Sequence, residues 1–256
     1  MPDRLEIRPL PAACNLVHEG RWLVGTLLAL LAATAQLVGA QTPPAPATPA
    51  PAPAPARFVV VLDAAHGGDD LGGRFTDKTG QIQAEKTITL ALGGRLRSLL
   101  EARGIPVAAT RDSDATVELN RRAEIANHVN AQACLSLHAS ESGSGVHLFV
   151  SSLSPEQPTR FAAWKTAQAG WVTRSLALAG TLNSALLQAG FTVTLGRTAL
   201  PGIDSMTCPA VAVEIAPERD GDKKVTAEPD DPEYQARVAE ALAAALLDWR
   251  SEVRQP

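Results

Sequence analysis

Four residues stand where side chains of their kind can do chemistry: His66, Glu85, His138 and Glu214. Two histidines and a carboxylate form a donor set for hydrolytic zinc, which takes nitrogen and oxygen ligands and keeps one position open. His66 follows the apolar run at 59–62 and precedes Gly67 and Gly68. It therefore falls at the carboxyl edge of a buried strand, where glycines let the chain turn sharply. His138 ends a second such run, 133–137, and Glu85 opens a helical pattern that fixes its backbone. If the strands are parallel neighbours, the three side chains meet over one edge of a sheet, where open α/β sheets build their ligand sites. A chain with five histidines yields such a pair by spacing alone, so the fourth residue matters. Glu214 sits in V-A-V-E-I-A, among small apolar residues where a carboxylate is costly to bury unless it is paired or near a metal. It is either an ion-pair partner of an arginine such as Arg111 or Arg197, or a general base that takes a proton from water at the metal.

The remaining polar residues near these positions invite plainer readings. Asp69 and Asp70 are expected as solvated loop carboxylates, with an approach to the metal as the alternative, and Asp63 as a residue that shapes the turn or orients His66 from behind. His128 and His147 read as surface or packing residues, and Arg111 and Arg122 as structural pairs. Arg197 is a candidate contact for an anionic peptide carboxylate.

The elements that must position these groups alternate along the chain. Strands are expected at 59–62, 105–110, 133–137, 146–151, 191–195 and 211–215. Helices are expected at 84–103, with Ile88, Leu92, Leu96 and Leu99 at helical spacing, and at 115–130, 160–188 and 232–250. The third helix carries Gly170 and Gly180 as interruptions, and 67–80 reads as a polar, glycine-rich loop. The fold class is α/β: a single layered domain with a mostly parallel sheet flanked by helices.

This domain begins at about residue 57. Residues 22–40 are almost wholly apolar and end in Val38-Gly39-Ala40, small residues of the kind found before a signal-peptidase site. Residues 1–40 thus read as a signal peptide or, since 22–40 is just long enough to span a bilayer, as an N-terminal membrane anchor. On either reading the rest is exported, to the periplasm or cell envelope. Residues 41–56 form a Pro/Ala linker of extended polyproline character that buries nothing. The net charge of −4 comes without a basic patch, which argues against nucleic acid as a partner. Of three cysteines, Cys14 precedes the apolar run. Cys134 and Cys208 are expected as buried thiols, with a disulfide between them as the alternative in an oxidising compartment. No C-x-x-C pair points to a thiolate metal site.

In order along residues 57–250, the motifs resemble the zinc-dependent N-acetylmuramoyl-L-alanine amidases of the amidase-3 type. The opening V-V-V-L-D-A-A-H-G-G-D-D-L-G-G, then Glu85-Lys86, Thr110-Arg111 and Asp114, carry the first part of the likeness. Leu119, Arg122, Ala126 and Asn127 follow the family's L-x-x-R-x-x-x-A-N spacing; Ser136-Leu137-His138-Ala139 and Pro209-Ala210-Val211 to Glu214 complete it. The resemblance implies that His66, Glu85 and His138 bind Zn2+, that Glu214 is the catalytic glutamate, and that peptidoglycan is the substrate. The implied reaction is hydrolysis of the amide between N-acetylmuramic acid and L-alanine, in wall remodelling or cell separation. The chain departs from the family at Asp63-Ala64-Ala65, where D-P-G is common, at Ser140, often Asn, and at Ala216 to Asp220, where G-F-L-S-N often continues the strand. No insertion between His138 and Glu214 suggests a blocking helix, so an open site is expected, and the sequence names no activator protein. Two alternatives stand beside the amidase reading: a silent wall-binding module, and a zinc peptidase or deacylase acting on another amide.

Overall fold

The computed structural model describes residues 57–76, 80–157, 163–220 and 224–254. The expected leader and linker, 1–56, lie outside them. Among the described residues no helix is long and apolar enough to cross a membrane.

The apolar runs become strands β1 (Val60–Ala64), β4 (Val107–Ala109), β5 (Ala133–Ala139), β6 (Val146–Ser151), β7 (Val193–Thr198) and β8 (Ala210–Ile215), with β2 (Arg74–Thr76) and β3 (Ile82–Ala84) as a small hairpin between β1 and β4. The six longer-range strands form one sheet in the order β4-β1-β5-β8-β6-β7. Every neighbouring pair is parallel except β6 with β8, so the sheet is mostly parallel, as expected. A second two-stranded ribbon joins β9 (Glu218–Arg219) to β10 (Val225–Ala227).

Side chains alternate across a strand, and both faces of this sheet are covered. Val60, Leu62, Leu135, Leu137, Val211, Val213, Val146 and Leu148 belong to the larger core. Against it lie α1 (Glu85–Ala102), α3 (Val172–Gln188) and α5 (Pro232–Arg254). In α1 the residues Ile88, Leu92, Leu96 and Leu100 recur at four-residue steps and are buried, whereas Leu99 is only partly covered. Removing each such side chain from water stabilises by about 1.5–3 kcal/mol. In α5 the buried row is Tyr234, Val238, Leu242, Leu246 and Trp249. The other face, with Val61, Cys134, Ala210 and Ala212, carries α2 (Leu119–His128) and the short α4 (Pro201–Asp204).

The connections reverse at β1: the chain leaves β1 through α1 to β4 on one side, then returns through α2 to β5 on the other. Such a reversal opens a crevice at the carboxyl ends of the two central strands, and here those are β1 and β5.

Several expectations change. The second helix starts at Leu119 rather than near residue 115. Asp114 and Thr116 are engaged instead with the loop after β1, accepting hydrogen bonds from the amides of Gly68 (2.7 Å) and Asp69 (3.3 Å). The region 160–188 breaks at Gly170, where a 3-10 segment, Trp164–Gly170, precedes α3; residues 158–162 lie outside the described residues. Gly180 does not interrupt α3, which runs through it from Val172 to Gln188. Cys134 and Cys208 are not free thiols: a disulfide joins them across 74 residues, from β5 to the loop before β8. Cys134 on its strand and Cys208 in its loop face the same small core, a proximity that no local pattern encodes.

Candidate metal centre

The site begins with a strand end followed by a sharp turn. His66 takes a left-handed backbone (φ 63°) just past β1, a conformation in which histidine is over-represented among non-glycine residues. Two buried arginines hold the carbonyls around it. Arg122, from α2, donates to the carbonyls of Ala64 and His66 at 2.7 Å each, and Arg111 donates to those of Ala64 (2.8 Å) and Ala65 (3.0 Å). Lys86 adds a third tie, to the carbonyl of Gly68 and the carboxylate of Asp114, both at 2.7 Å.

Asp63 does not reach His66. It is buried against Arg122 at 2.7 Å and accepts hydrogen bonds from Thr110 and Ser136, each at 2.7 Å. The charge is thus paired and its oxygens satisfied, which a buried carboxylate requires. The residue that orients His66 is Asp70, whose Oδ2 lies 2.9 Å from Nδ1 of the ring. This leaves Nε2 for the centre of the site, the usual arrangement behind a metal-bound histidine.

Glu85 fills that centre. It is buried at the first position of α1, and each carboxylate oxygen has two partners. Oε2 accepts from the amide of Gly73 (2.9 Å) and lies 3.1 Å from His66 Nε2; Oε1 accepts from the amide of Ala139 (3.1 Å) and lies 3.1 Å from His138 Nδ1. Burial acts to raise this carboxyl, but His138, His66 and the two amides outweigh it and hold it far below the ordinary carboxylate range. Contact with Glu85 in turn raises the His66 imidazole above its ordinary value, against opposing burial and with help from Asp70. Room for this cluster depends on Gly72, at φ 66°: a Cβ there would lie 2.6 Å from the His66 ring and 2.7 Å from Glu85 Oε2.

The structure therefore brings His66, Glu85 and His138 together. One ligand atom from each lies within 4.8 Å of the others, a group that could hold a metal ion. The histidine side chains remain 23% and 34% exposed, so the donors face an approachable surface rather than a sealed core. Beside them opens a cavity of about 340 Å³, floored by Asp63, Arg122 and Ser136 and walled by Val117, Leu200 and Ile203. Part of that wall is α4, which carries no helical periodicity long enough to announce itself.

Glu214 stands one strand over, in register with His138 across β5 and β8. Neither arginine proposed as its partner reaches it: Arg111 is committed to carbonyls, and Arg197 donates to those of Ser151 and Leu153. Its neighbour is His147, whose Nδ1 lies 3.3 Å from Glu214 Oε1. His147 is therefore not a plain packing residue. The signal that could have found it is the alternation of β6, which puts His147 on the face opposite Val146 and Leu148.

Comparison with known proteins agrees with this geometry. A family model described as N-acetylmuramoyl-L-alanine amidase matches residues 60–248. Among curated relatives, AmiA of Escherichia coli K12, named as such an amidase, is 41% identical over 83 residues, covering 32% of this chain and 27% of that protein. The sporulation-specific amidase of Bacillus subtilis 168 is 37% identical over 86 residues, 33% of this chain and 32% of its own. The alignments thus span about a quarter to a third of these relatives' length. The solved catalytic domain of the amidase CwlV from Bacillus (Paenibacillus) polymyxa superposes with a TM-score of 0.57 at 25% identity, covering 76% of this chain and 98% of that domain. The amidase AmiC2 of Nostoc punctiforme gives 0.56 at 26% identity, over 76% of this chain and 97% of that one. The match along most of the folded region, on a sheet whose switch point holds the His/Glu/His cluster, places this chain in the N-acetylmuramoyl-L-alanine amidase family.

Proposed function

We propose that the protein is a zinc hydrolase that cleaves the amide between N-acetylmuramic acid and L-alanine in peptidoglycan, with His66, Glu85 and His138 as the zinc ligands. The observation that carries this reading is the spacing of the three donors. Zinc bonds of about 2.0–2.1 Å in a tetrahedral arrangement set ligand atoms roughly 3.3 Å apart. Glu85 lies 3.1 Å from each histidine, through a different oxygen for each, and one ligand atom from each of the three lies within 4.8 Å of the others, so the donors converge closely enough to close around such an ion. When bound, zinc supplies Lewis acidity, polarising the scissile carbonyl and making water easier to deprotonate.

The chain's own residues do the rest. Glu85, ionised and fixed at both oxygens, brings a negative charge that suits a cation rather than a proton. Asp70 holds His66 so that Nε2 faces inward. Glu214, the partly exposed carboxylate beside His138, is the general base: it takes the proton from the attacking water and passes it to the leaving amine of L-alanine. The adjoining cavity, polar at its floor and apolar at its wall, receives the substrate next to the donors. A wall substrate requires the domain to lie outside the cytoplasm. Residues 1–40 serve as the export signal or anchor and 41–56 as the spacer, and the Cys134–Cys208 disulfide suits an oxidising compartment.

Mass spectrometry of peptidoglycan digested by the zinc-loaded protein tests this. Free stem peptides beginning at L-alanine are the expected product. Cleavage within the peptide would replace the amidase assignment with a peptidase. Intact wall that still retains the protein would favour a binding module.

A further inference from the structure

We propose that His147 is a positioning residue that holds the Glu214 carboxylate in place for proton transfer; this rests on the reading of Glu214 as the general base. His138, Glu214 and His147 form one row across three neighbouring strands, paired in register through β5–β8 and β8–β6. The row lies on the sheet face opposite the large core, because Leu137, Val213, Val146 and Leu148 point the other way. Glu85, the ligand carboxylate, is fixed by four partners. Glu214 is 29% exposed, and among the described residues His147 is the one titratable side chain paired with it. A glutamate free to change rotamer at a strand end would spend much of its time out of line with a substrate, and misplacement by about 1 Å can cost a hundredfold in rate.

The His147 ring is itself closely packed, with its side chain 16% exposed. Gly143 crosses it at φ 88°, so close that a Cβ at 143 would overlap Cε1 and Nε2 of the ring. Arg219 donates to the carbonyl of Gly143 at 3.1 Å and ties that loop down. The Phe149 ring meets His147 edge-on with centroids 6.3 Å apart. With its far edge covered by the glycine loop, the ring presents Nδ1 to Glu214. A proton on Nδ1 in this pose faces Oε1 of Glu214 at 3.3 Å, which leaves Oε2 to accept the proton from water. A histidine that served packing alone would not need its nitrogen on the carboxylate.

The test compares His147→Phe, His147→Asn, His147→Gln and Glu214→Gln in the full-length, zinc-loaded protein, with purified peptidoglycan as substrate. The phenylalanine keeps the ring and loses the donor, and its kcat should fall about 10–100-fold with KM and zinc content unchanged. Asparagine sets an amide nitrogen near the Nδ1 position and should recover most of that loss, whereas glutamine, whose amide lies farther out, should not. In the Glu214→Gln background, His147→Phe should cause no further loss. Wild-type kcat in His147→Phe, or equal damage from phenylalanine and asparagine, would overturn the proposal. Full activity in Glu214→Gln would remove the base and this inference with it, so the two failures are told apart. If the phenylalanine variant does not fold, the asparagine and glutamine pair carries the same comparison.

Discussion

Glu85 and Glu214 lie on either side of His138, yet they sit in opposite environments. Glu85 is buried at a helix start, with both oxygens saturated by two backbone amides and two imidazoles. Glu214 is partly open at a strand end, with one imidazole at 3.3 Å. The first arrangement holds a permanent negative charge in one place and suits a ligand. The second leaves an oxygen able to gain and lose a proton, as a general base must. On the proposed reading, two carboxylates of one kind do different work, set by the number of donors around them.

That contrast is broken most directly at Glu85. Each of its oxygens accepts from a backbone N–H, so in Glu85→Gln the amide NH2 must face a donor whichever way it is flipped. Zinc binding should be lost along with all turnover, and thermal or urea unfolding should show a loss of about 1–3 kcal/mol from the stranded donor. Glu214→Gln should behave differently. Turnover should fall by about 10²–10⁴, while unfolding midpoint and zinc content stay at wild-type values.

Asp70→Asn sharpens the ligand side of the comparison. It keeps a hydrogen-bonding group beside His66 Nδ1 but removes its charge, and a zinc competition assay should show affinity about 10–100-fold weaker.

The smallest effect is on pH dependence in the metal-free protein. Glu85 is depressed from 4.5, so its contribution to stability is present above that pH and is lost as pH falls toward its native value. His66 is raised from 6.5, so its contribution is present below that pH and is lost as pH rises through its native value. Unfolding followed across pH should therefore show this pair contributing most between 4.5 and 6.5, with both limbs flattened in Glu85→Gln. Saturating zinc should reverse the alkaline limb, since the metal competes with protons for His66.

The parts of this site that could be read from sequence are those announced by local pattern. His66 and His138 follow β-branched or apolar runs, and Glu85 opens a helix whose buried face repeats every four residues, so their positions at sheet and helix ends follow from periodicity. Partners set by tertiary register were not legible. Asp70 is the solvated loop carboxylate the sequence suggests, with its side chain 63% exposed, but its contact with His66 exists only because the turn folds it back. Asp63 looks poised behind His66 until Arg122 arrives from α2 and claims it. His147 meets Glu214 only because β6 inserts antiparallel beside β8, a pairing between strands far apart in the chain. The Cys134–Cys208 bond is hidden for the same reason, whereas α4 in the cavity wall is hidden because four residues are too few to show a period.

The most direct measurement is zinc content and turnover on one preparation of Glu214→Gln. The division of labour between the two carboxylates predicts one zinc per chain, as in the wild type, with release of stem peptides from peptidoglycan reduced at least about a hundredfold. Loss of the metal would make Glu214 part of the ligand set, and undiminished release would show that the base is another residue; either result contradicts the account.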